Sequence, residues 1–417
     1  MSAFKITGGR KLHGEFNVQG AKNSVLPLLA ACFLCDGQSV LHNCPKLSDV
    51  NAALDILECL GCRCKREGTT VTVDSQNCDM FEVPECLMRE MRSSIIFMGA
   101  VAARTGKALM SLPGGCELGP RPIDIHIEAL KKMGAVIECE SGKLICEFPE
   151  GIKAADIYLR FPSVGATENA MITATVASGT TVIRNAAKEP EIIDLAGFLN
   201  KAGACVLDAG TDTVTVIGAH KLCGCEHTVM PDRIVAATCM YAVAAVGGRV
   251  RLKNIETEHL LPIISTLTDA GCNLEYDGHQ IVIVSHSRPH NFDTVSTQPY
   301  PGFPTDAGPL LIAMSSVSKG TGVFIENIFD RRFGYIDELN RMGANIKTVG
   351  RVAIISGVRH LDAANVCAAD LRGGAALAVA LMASHGTATV KNTEYIDRGY
   401  DGFEHTFANI GADITRI

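Results

Sequence analysis

The sequence lacks the features of a secreted or membrane-bound protein. Its N-terminus has no charged segment followed by an apolar one, and no apolar run reaches the roughly 18–20 residues that cross a bilayer. A formal net charge of −7 gives no reason to expect nucleic acid or an anionic membrane as a partner. We therefore expect a cytoplasmic globular protein, in which any cationic contacts to an anionic substrate are gathered locally.

Cysteine, in contrast, is plentiful. Seventeen cysteines without a secretion signal indicate reduced thiols rather than a disulfide framework. The length of 417 residues exceeds the size at which one core keeps growing, so two domains are expected.

Two short phrases recur six times each along the chain. The first is an apolar residue, a glycine and a small residue, and its glycines are separated by 73, 69, 68, 72 and 68 residues: Gly61, Gly134, Gly203, Gly271, Gly343 and Gly411. The pattern predicts a helix that ends at each glycine, followed by a strand. The second phrase is a turn glycine followed by a short strand, at Gly37, Gly106, Gly179, Gly248, Gly320 and Gly386. Such repetition predicts six similar α/β units of about 70 residues.

Two helices are expected in each repeat. One is apolar almost all round, as in SVLPLLAACFL, and belongs inside a core. The other is amphipathic, as in RPIDIHIEALKKMGA, and should pack on a sheet. Six repeats divide as three plus three, so we predict one domain over residues 20–230 and a second over 231–417. The first strand, within residues 1–19, is expected to join the second domain.

Charged residues recur where the helices should start. The apolar helices are expected to begin just after Lys22-Asn23, Arg92, Thr167-Glu168, Asp232-Arg233, Thr305-Asp306 and Asp370-Arg372, and the amphipathic ones near Lys46, Arg121, Lys188-Glu189, Glu256, Arg331-Arg332 and Asp397-Arg398. Helix N-termini hold anions, and arginine grips carboxylate or phosphate with two hydrogen bonds. Any one arginine could be a surface charge or a cap, but the set favours a cationic site for a small anionic ligand.

Two acidic residues at these starts have two interpretations. Asp306 and Asp370 could simply cap their helices, which aspartate does well. Facing a cationic cleft, they could instead transfer protons. The residues alone leave both interpretations open.

Three groups of cysteines have candidate roles. Cys32 and Cys35 have CxxC spacing, but they lie in an apolar segment without a second pair, which favours a buried structural role. Cys223, Cys225 and His227 have a weak metal-binding pattern, since a fourth ligand is missing. Cys116 differs because it lies in the glycine-rich turn PGGC, close to Arg121 and a helix start. Both neighbours favour a reactive thiolate.

The segment PGGC followed by RPIDIHIEAL resembles the family of enolpyruvyl transferases that open peptidoglycan synthesis. The likeness runs through GAKNSVLPLL, MRSSI, SVGATEN, NAAKEPEIIDLA, MPDRI, PGFPTD, DLRGGAAL and EYIDRGYDGFE. It implies a two-domain inside-out α/β barrel of six βαβαββ units, with the active site in the cleft between the domains. It also implies phosphoenolpyruvate and UDP-N-acetylglucosamine as substrates, and neither a metal nor another cofactor.

The resemblance implies a role for individual residues. Cys116 would deliver a proton to C3 of phosphoenolpyruvate, could form a phospholactoyl adduct, and would be alkylated by fosfomycin. Asp306 would act as base towards the sugar 3′-hydroxyl, and Asp370 would support proton transfer near C3. The implied phosphoenolpyruvate contacts are Lys22, Asn23, Arg92, Arg121, Arg332, Arg372 and Arg398. The implied UDP-sugar contacts are Asn23, Arg92, Arg121, Pro122, Ile123, Asp124, Ile125, Ser163, Val164, Gly165, Asp306 and Ile328.

Some positions depart from the family pattern. Ala307-Gly308 stands where Met-Gln is common, Asp330-Arg331 precedes Arg332 in place of Glu-Asn, and Gly334-Tyr335 replaces Met-His. These departures leave non-catalytic binding of a UDP-sugar open as an alternative. A second alternative is enolpyruvyl transfer to 3-phosphoshikimate by the sister enzymes, which share the fold and the phosphoenolpyruvate chemistry but lack the PGGC loop.

Overall fold

A computed structural model describes residues 2–112, 123–140, 142–219 and 221–417. These residues form two compact units. The inserted unit consists of the described residues of Gly20–Met230, and the split unit consists of the residues up to Gln19 together with Pro231–Ile417. Each unit has its own core, because the buried apolar residues fall into two clusters with the same division.

The chain begins with two strands of the split unit, β1 (Ala3–Thr7) and β2 (Leu12–Asn17). The helices of the inserted unit follow: α1 (Lys22–Cys32), α2 (Ser48–Cys59), α3 (Glu85–Glu90), α4 (Ile96–Thr105), α5 (Asp124–Lys132), α6 (Val164–Ala174) and α7 (Pro190–Lys201), with a 3₁₀ helix at Arg92–Ile95. Its strands are β3 (Cys35–Asp36), β4 (Gln38–His42), β5 (Arg63–Glu67), β6 (Thr70–Asp74), β7 (Glu82–Val83), β8 (Lys107–Ser111), β9 (Val136–Glu140), β10 (Lys143–Glu147), β11 (Asp156–Tyr158), β12 (Thr180–Arg184), β13 (Cys205–Leu207), β14 (Thr213–Ile217), β15 (Leu222–Cys223) and β16 (Glu226–Thr228).

The remaining elements belong to the split unit. Its helices are α8 (Arg233–Val246), α9 (Leu261–Asp269), α10 (Gly308–Ser316), α11 (Ile336–Arg341), α12 (Leu371–Met382), α13 (Glu394–Asp397) and α14 (Phe403–Asn409), with 3₁₀ helices at Thr257–Leu260 and Thr305–Ala307. Its strands are β17 (Gly248–Lys253), β18 (Asn273–Tyr276), β19 (Gln280–Ser285), β20 (Thr294–Ser296), β21 (Thr321–Ile325), β22 (Asn345–Val349), β23 (Val352–Ser356), β24 (Leu361–Asp362), β25 (Val366–Cys367), β26 (Ser384–His385), β27 (Thr387–Lys391) and β28 (Asp413–Arg416).

The described residues of each unit form three four-stranded sheets of one topology. One edge strand runs parallel to its neighbour, and the other pairs are antiparallel, as in the order β11-β12-β14-β13. Two small sheets, β15-β3 and β24-β26, have two parallel strands each. In the inserted unit the last strand, β16, supplies the edge of the first sheet by pairing with β4. In the split unit β2 pairs with β17, and β1 lies between β27 and β28.

The central helices lie inside and the sheets outside. In the inserted unit α1, α4 and α6 pack against one another, and in the split unit α8, α10 and α12 do the same. Every residue of α10 is buried, whereas β17 alternates between buried and exposed side chains. The predicted fold class, six βαβαββ units in an inside-out arrangement, is confirmed.

The two repeated phrases are confirmed at all twelve strands that they predict. Each glycine of the first phrase has a positive φ, between 87° and 105°, which ends the helix before the strand.

Two predicted helix starts are wrong. Helix α6 begins at Val164, so Thr167 and Glu168 lie inside it, because the Ser163 side chain caps the helix earlier. Arg398 does not start a helix either. It follows the short helix α13, and the amphipathic helix begins only at Phe403.

Candidate active site

Asp306 lies between two buried arginines of the split unit. Its Oδ1 accepts a hydrogen bond of 2.8 Å from Nη2 of Arg332, and its Oδ2 accepts one of 3.3 Å from Nε of Arg372. The arginine side chains are only 3% and 2% exposed, whereas that of Asp306 is 26% exposed. The 3₁₀ turn before α10 thus presents a carboxylate that two guanidinium groups orient.

Both arginines retain unused donors. Nε of Arg332 and Nη1 of Arg372 are buried without a hydrogen-bond partner among the described residues. Burial lowers the pKa of Arg372, but the neighbouring Tyr400 and Asp306 outweigh it and raise this pKa above its ordinary value. Guanidinium groups with unused donors are suited to an anionic ligand.

Asp370 caps helix α12. Its Oδ1 accepts hydrogen bonds from the backbone N–H groups of Arg372 at 3.0 Å and Gly373 at 2.9 Å. A side chain at Gly373 would place a Cβ 2.5 Å from Oδ2 of Asp370, so the close approach requires glycine there. The two aspartates therefore differ, since Asp370 is a helix cap and the Asp306 side chain does not cap its turn.

Two other predicted contacts also belong to the split unit. Arg398 is partly buried and directly follows Asp397, whose carboxylate binds Arg416 through hydrogen bonds of 2.8 and 2.6 Å. Ile328 is partly buried, and its N–H donates to Oε1 of Glu326 at 2.8 Å.

Lys22 is the first residue of α1 in the inserted unit. Its Nζ lies 2.7 Å from Oδ2 of Asp49, and the two side chains are 12% and 4% exposed. The neighbouring Ser24 donates a hydrogen bond to Asp194, which also binds His227. The next residue in the sequence, Asn23, is exposed. The start of α1 is therefore fixed from two sides, and Lys22 has a defined position.

Ser163, Val164 and Gly165 form the start of α6. Ser163 Oγ accepts a hydrogen bond from the N–H of Ala166 at 3.4 Å. A Cβ at Gly165 would come within 3.1 Å of the His126 ring, so this turn packs directly on α5. The backbone at the start of α6 therefore packs closely against helix α5.

Asp124 starts helix α5 and forms an ion pair with Arg160. Its neighbours Ile123 and Ile125 are partly buried. Three predicted residues, Cys116, Arg121 and Pro122, lie outside the described residues. For Arg92 the backbone is described as the start of a 3₁₀ helix, but the side chain is outside the description.

The alternative cysteine sites gain no support. Cys32 and Cys35 are both buried, as a structural role requires, although Cys35 lies in a strand rather than in the helix. His227 forms a 2.9 Å contact with Oδ1 of Asp194. In the part of the chain that the structure describes, no three His, Cys, Asp or Glu residues are arranged to hold a metal ion.

The residues that depart from the family pattern have defined surroundings in the structure. A Cβ at Gly308 would lie 2.6 Å from Cζ of Phe324, whose ring is fully buried. A longer side chain at this position therefore has no room. Asp330 pairs with Arg351, and Tyr335 is buried with its ring against Gly373.

Glu326 is a residue that the sequence interpretation missed. Its carboxylate is buried and accepts four hydrogen bonds around the turn that carries Asp306. The sequence contained an indication of this role in the second repeated phrase. Glu326 is acidic, whereas four other repeats carry a basic residue at the corresponding position, namely His42, Arg184, Lys253 and Lys391.

The comparisons with known proteins agree with this fold. The family model described as EPSP synthase (3-phosphoshikimate 1-carboxyvinyltransferase) matches residues 6–407. The chain belongs to this family of carboxyvinyltransferases, which confirms the resemblance seen in the sequence. It is 49% identical over 417 residues, all of both chains, to UDP-N-acetylglucosamine 1-carboxyvinyltransferase 2 of Caldanaerobacter subterraneus subsp. tengcongensis. It is 45% identical to UDP-N-acetylglucosamine 1-carboxyvinyltransferase 1 of Symbiobacterium thermophilum, covering 99% of this chain and 95% of that one.

Solved structures support the fold alone. The enolpyruvyl transferase NikO from Streptomyces tendae has a TM-score of 0.90 at 22% identity, covering 100% of this chain and 98% of that one. EPSP synthase from Acinetobacter baumannii has a TM-score of 0.75 at 18% identity over all of both chains. Among the described residues, no helix combines the length and apolar character of a membrane span.

Proposed function

We propose that this protein transfers the enolpyruvyl group of phosphoenolpyruvate to the 3′-hydroxyl of UDP-N-acetylglucosamine and releases phosphate. This reaction would be the first committed step of peptidoglycan synthesis, in the bacterial cytoplasm. The observation that carries the proposal is the 49% identity, over the full length of both chains, to a relative named for this acceptor.

The proposed reaction is an addition followed by an elimination. C3 of phosphoenolpyruvate gains a proton, and the sugar oxygen forms a bond to C2 as the hydroxyl loses its proton. The tetrahedral intermediate then loses a proton from C3, and its C2–O bond to phosphate breaks. The chemistry needs an acid near C3, a base near the hydroxyl and fixed positive charge. Each acid or base contributes about 10²–10⁴-fold to the rate.

The described residues of the split unit can supply part of this chemistry. Asp306 is the proposed base towards the hydroxyl, because its carboxylate is partly exposed and held in one orientation by two arginines. The free donors of Arg332 and Arg372 support binding of an anionic substrate. Asp370, a helix cap, is proposed to act near C3, and Arg398 is proposed to bind phosphate.

In the inserted unit Lys22 and Cys116 have the main proposed roles. Lys22 would bind phosphate, aided by Arg92 and Arg121, and Cys116 would donate the proton to C3. The start of α6 at Ser163–Gly165 and the segment from Arg121 to Ile125 would bind the UDP-sugar, together with Asn23 and Ile328. These assignments follow the family resemblance, residue by residue.

Phosphate release from two acceptors tests the proposal. Purified protein would be mixed with phosphoenolpyruvate and either UDP-N-acetylglucosamine or 3-phosphoshikimate, with and without fosfomycin. We expect release only with the UDP-sugar, and inhibition by fosfomycin. Release only with 3-phosphoshikimate, the acceptor in the family description, would contradict the proposal. No release with either acceptor would favour a binding role.

The proposed thiol has a matched control. We expect Cys116→Ser to abolish fosfomycin labelling measured by peptide mass spectrometry, because the thiolate is the nucleophile. Cys367→Ser, a change at another cysteine that is exposed, should leave labelling intact. Persistent labelling of the Cys116→Ser protein would refute the assignment.

A further inference from the structure

Glu326 is a buried carboxylate that accepts one hydrogen bond from the turn that carries Asp306 and three from the two segments beside it. Glu326 is only 1% exposed to solvent. Oε1 accepts from Thr297 Oγ1 at 3.0 Å and from the N–H groups of Ile328 at 2.8 Å and Phe329 at 3.1 Å. Oε2 accepts from Oγ1 of Thr305 at 2.8 Å. Four donors and no acceptor suit an ionised carboxylate, which can only accept.

The two carboxylate oxygens of Glu326 bind different segments of the chain. Oε2 binds Thr305, the residue directly before Asp306. Oε1 binds the backbone that leads from β21 towards Arg332. Because Arg332 also donates to the carbonyl oxygen of Thr305 at 3.3 Å, both segments meet again at the Asp306 carboxylate.

A third segment closes the arrangement. Thr297 Oγ1 accepts a hydrogen bond of 2.7 Å from the N–H of Asn327, and the Asn327 side chain donates to the Thr297 carbonyl oxygen at 3.1 Å. Glu326 therefore joins the end of β20, the end of β21 and the 3₁₀ turn. Loss of the Glu326 carboxylate would take this partner from two backbone N–H groups, those of Ile328 and Phe329, which costs far more than loss of a surface contact.

We propose that Glu326 is a positioning residue that holds Asp306 between Arg332 and Arg372 through its hydrogen bond to Thr305. Glu326 contacts no reacting group in this proposal; it acts through the Thr305 hydroxyl and the 328–332 segment. The catalytic part of the inference rests on the proposed function, because only there is Asp306 the base.

Thr305→Val tests the proposal, because it removes one hydroxyl and keeps the size of the side chain. The first measurement is modification of Arg332 by phenylglyoxal in the protein without substrates, followed by peptide mass spectrometry. Arg332 is 3% exposed while it is paired with Asp306. We expect labelling in Thr305→Val to be about five- to tenfold faster, the size of effect that the loss of one ordinary hydrogen bond produces.

The second measurement is turnover. If Asp306 is the base, kcat of Thr305→Val falls by about 10–100-fold, because small displacements of a catalytic group have effects of this size. KM for both substrates should change by less than about threefold, since the proposed substrate contacts of the inserted unit, such as Lys22 and the start of α6, are untouched. Thr305→Ser retains the hydroxyl and should restore both the labelling rate and kcat.

A control variant separates positioning from general destabilisation. Thr266 lies in helix α9 of the same unit, and Thr266→Val removes its 2.8 Å hydrogen bond with Tyr241 of helix α8. It should lower the melting temperature about as much as Thr305→Val, without changing Arg332 labelling or kcat.

A native labelling rate in Thr305→Val would overturn the proposal, whatever the turnover. If the native protein transfers no enolpyruvyl group, the proposed function fails, and the labelling rate alone still decides whether Glu326 positions Asp306.

Discussion

The hydroxyl of Tyr335 is buried beside charged residues and has no hydrogen-bond partner among the described residues. Burial raises the pKa of this hydroxyl well above its usual value, so it stays neutral. Tyr335→Phe removes the unpaired oxygen and keeps the ring against Gly373. We expect the variant to be more stable by about 1 kcal/mol in urea unfolding, because an unpaired buried hydroxyl is costly.

Tyr241→Phe provides the opposite case. In the native protein the Tyr241 hydroxyl is also fully buried, but it forms a 2.8 Å hydrogen bond with Thr266. Its loss should destabilise the protein by about 1 kcal/mol. Equal effects of the two variants would contradict the structural distinction between the paired and the unpaired hydroxyl.

The sequence could predict residue types at the site but not their partners. It left both Asp306 and Asp370 between capping and proton transfer. Capping by Asp370 depends on contacts two and three residues away. Asp306, in contrast, is bound by arginines 26 and 66 residues further along the chain. Such pairings form only when the repeats pack, so no local pattern reveals them.

At the scale of the elements, Arg416 ties strand β28 to two helices. It donates to Asp397 at the end of α13, and to both carboxylate oxygens of Glu404 in α14, at 2.7 and 3.1 Å. Burial raises the pKa of Glu404, but the hydrogen bonds from Arg416 outweigh it, and the net pKa is lowered. The stabilisation is therefore complete above the ordinary glutamate pKa of about 4.3 and is lost as the pH falls below it.

Arg416→Met tests this tie. At pH 7 we expect it to lower the free energy of unfolding by about 1 kcal/mol, because solvent screens the partly exposed groups. The difference from the native protein should shrink as the pH falls below the ordinary glutamate pKa and through the lowered pKa of Glu404, because the carboxylate is then protonated. Lys65→Met, which breaks an exposed ion pair with Glu67, is the control with no expected effect. A pH-independent difference for Arg416→Met would contradict the role of Glu404.

The elements themselves were largely predictable. Glycines of the two phrases and apolar periodicity recur in every repeat, so the twelve strands that follow these glycines were predicted in place. The start of α6 was missed because Ser163, rather than the charged Thr167-Glu168 pair, caps the helix. The sequence did not predict the extra helix α13, because four residues are too few to show a helical period.

At the scale of the whole molecule, the N-terminal strands complete the fold of the split unit. β1 lies inside a sheet, and among the described strands it is the only neighbour of β28. A chain that starts at Gly20 would therefore lose an inner strand from one sheet and an edge strand from another. We expect the split unit to unfold and the inserted unit, whose core is separate, to remain folded.

Limited proteolysis followed by mass spectrometry measures this outcome. A protected fragment close to Gly20–Met230 should persist in the shortened chain, whereas Pro231–Ile417 should be digested. A chain that starts at Ala3 retains both strands and should be protected in both parts. Protection of Pro231–Ile417 in the chain that starts at Gly20 would contradict the prediction.

The ends of the inserted unit meet. The N–H of Ala21 donates to the carbonyl oxygen of Met230 at 2.8 Å, and the N–H of Asp232 donates to that of Gln19 at 2.9 Å. The chain thus leaves the split unit and returns to it along two adjacent segments. Gene engineering could use this arrangement: the segment encoding Gly20–Met230 could be excised and its product circularised through a short peptide, while a few residues would bridge the gap left behind.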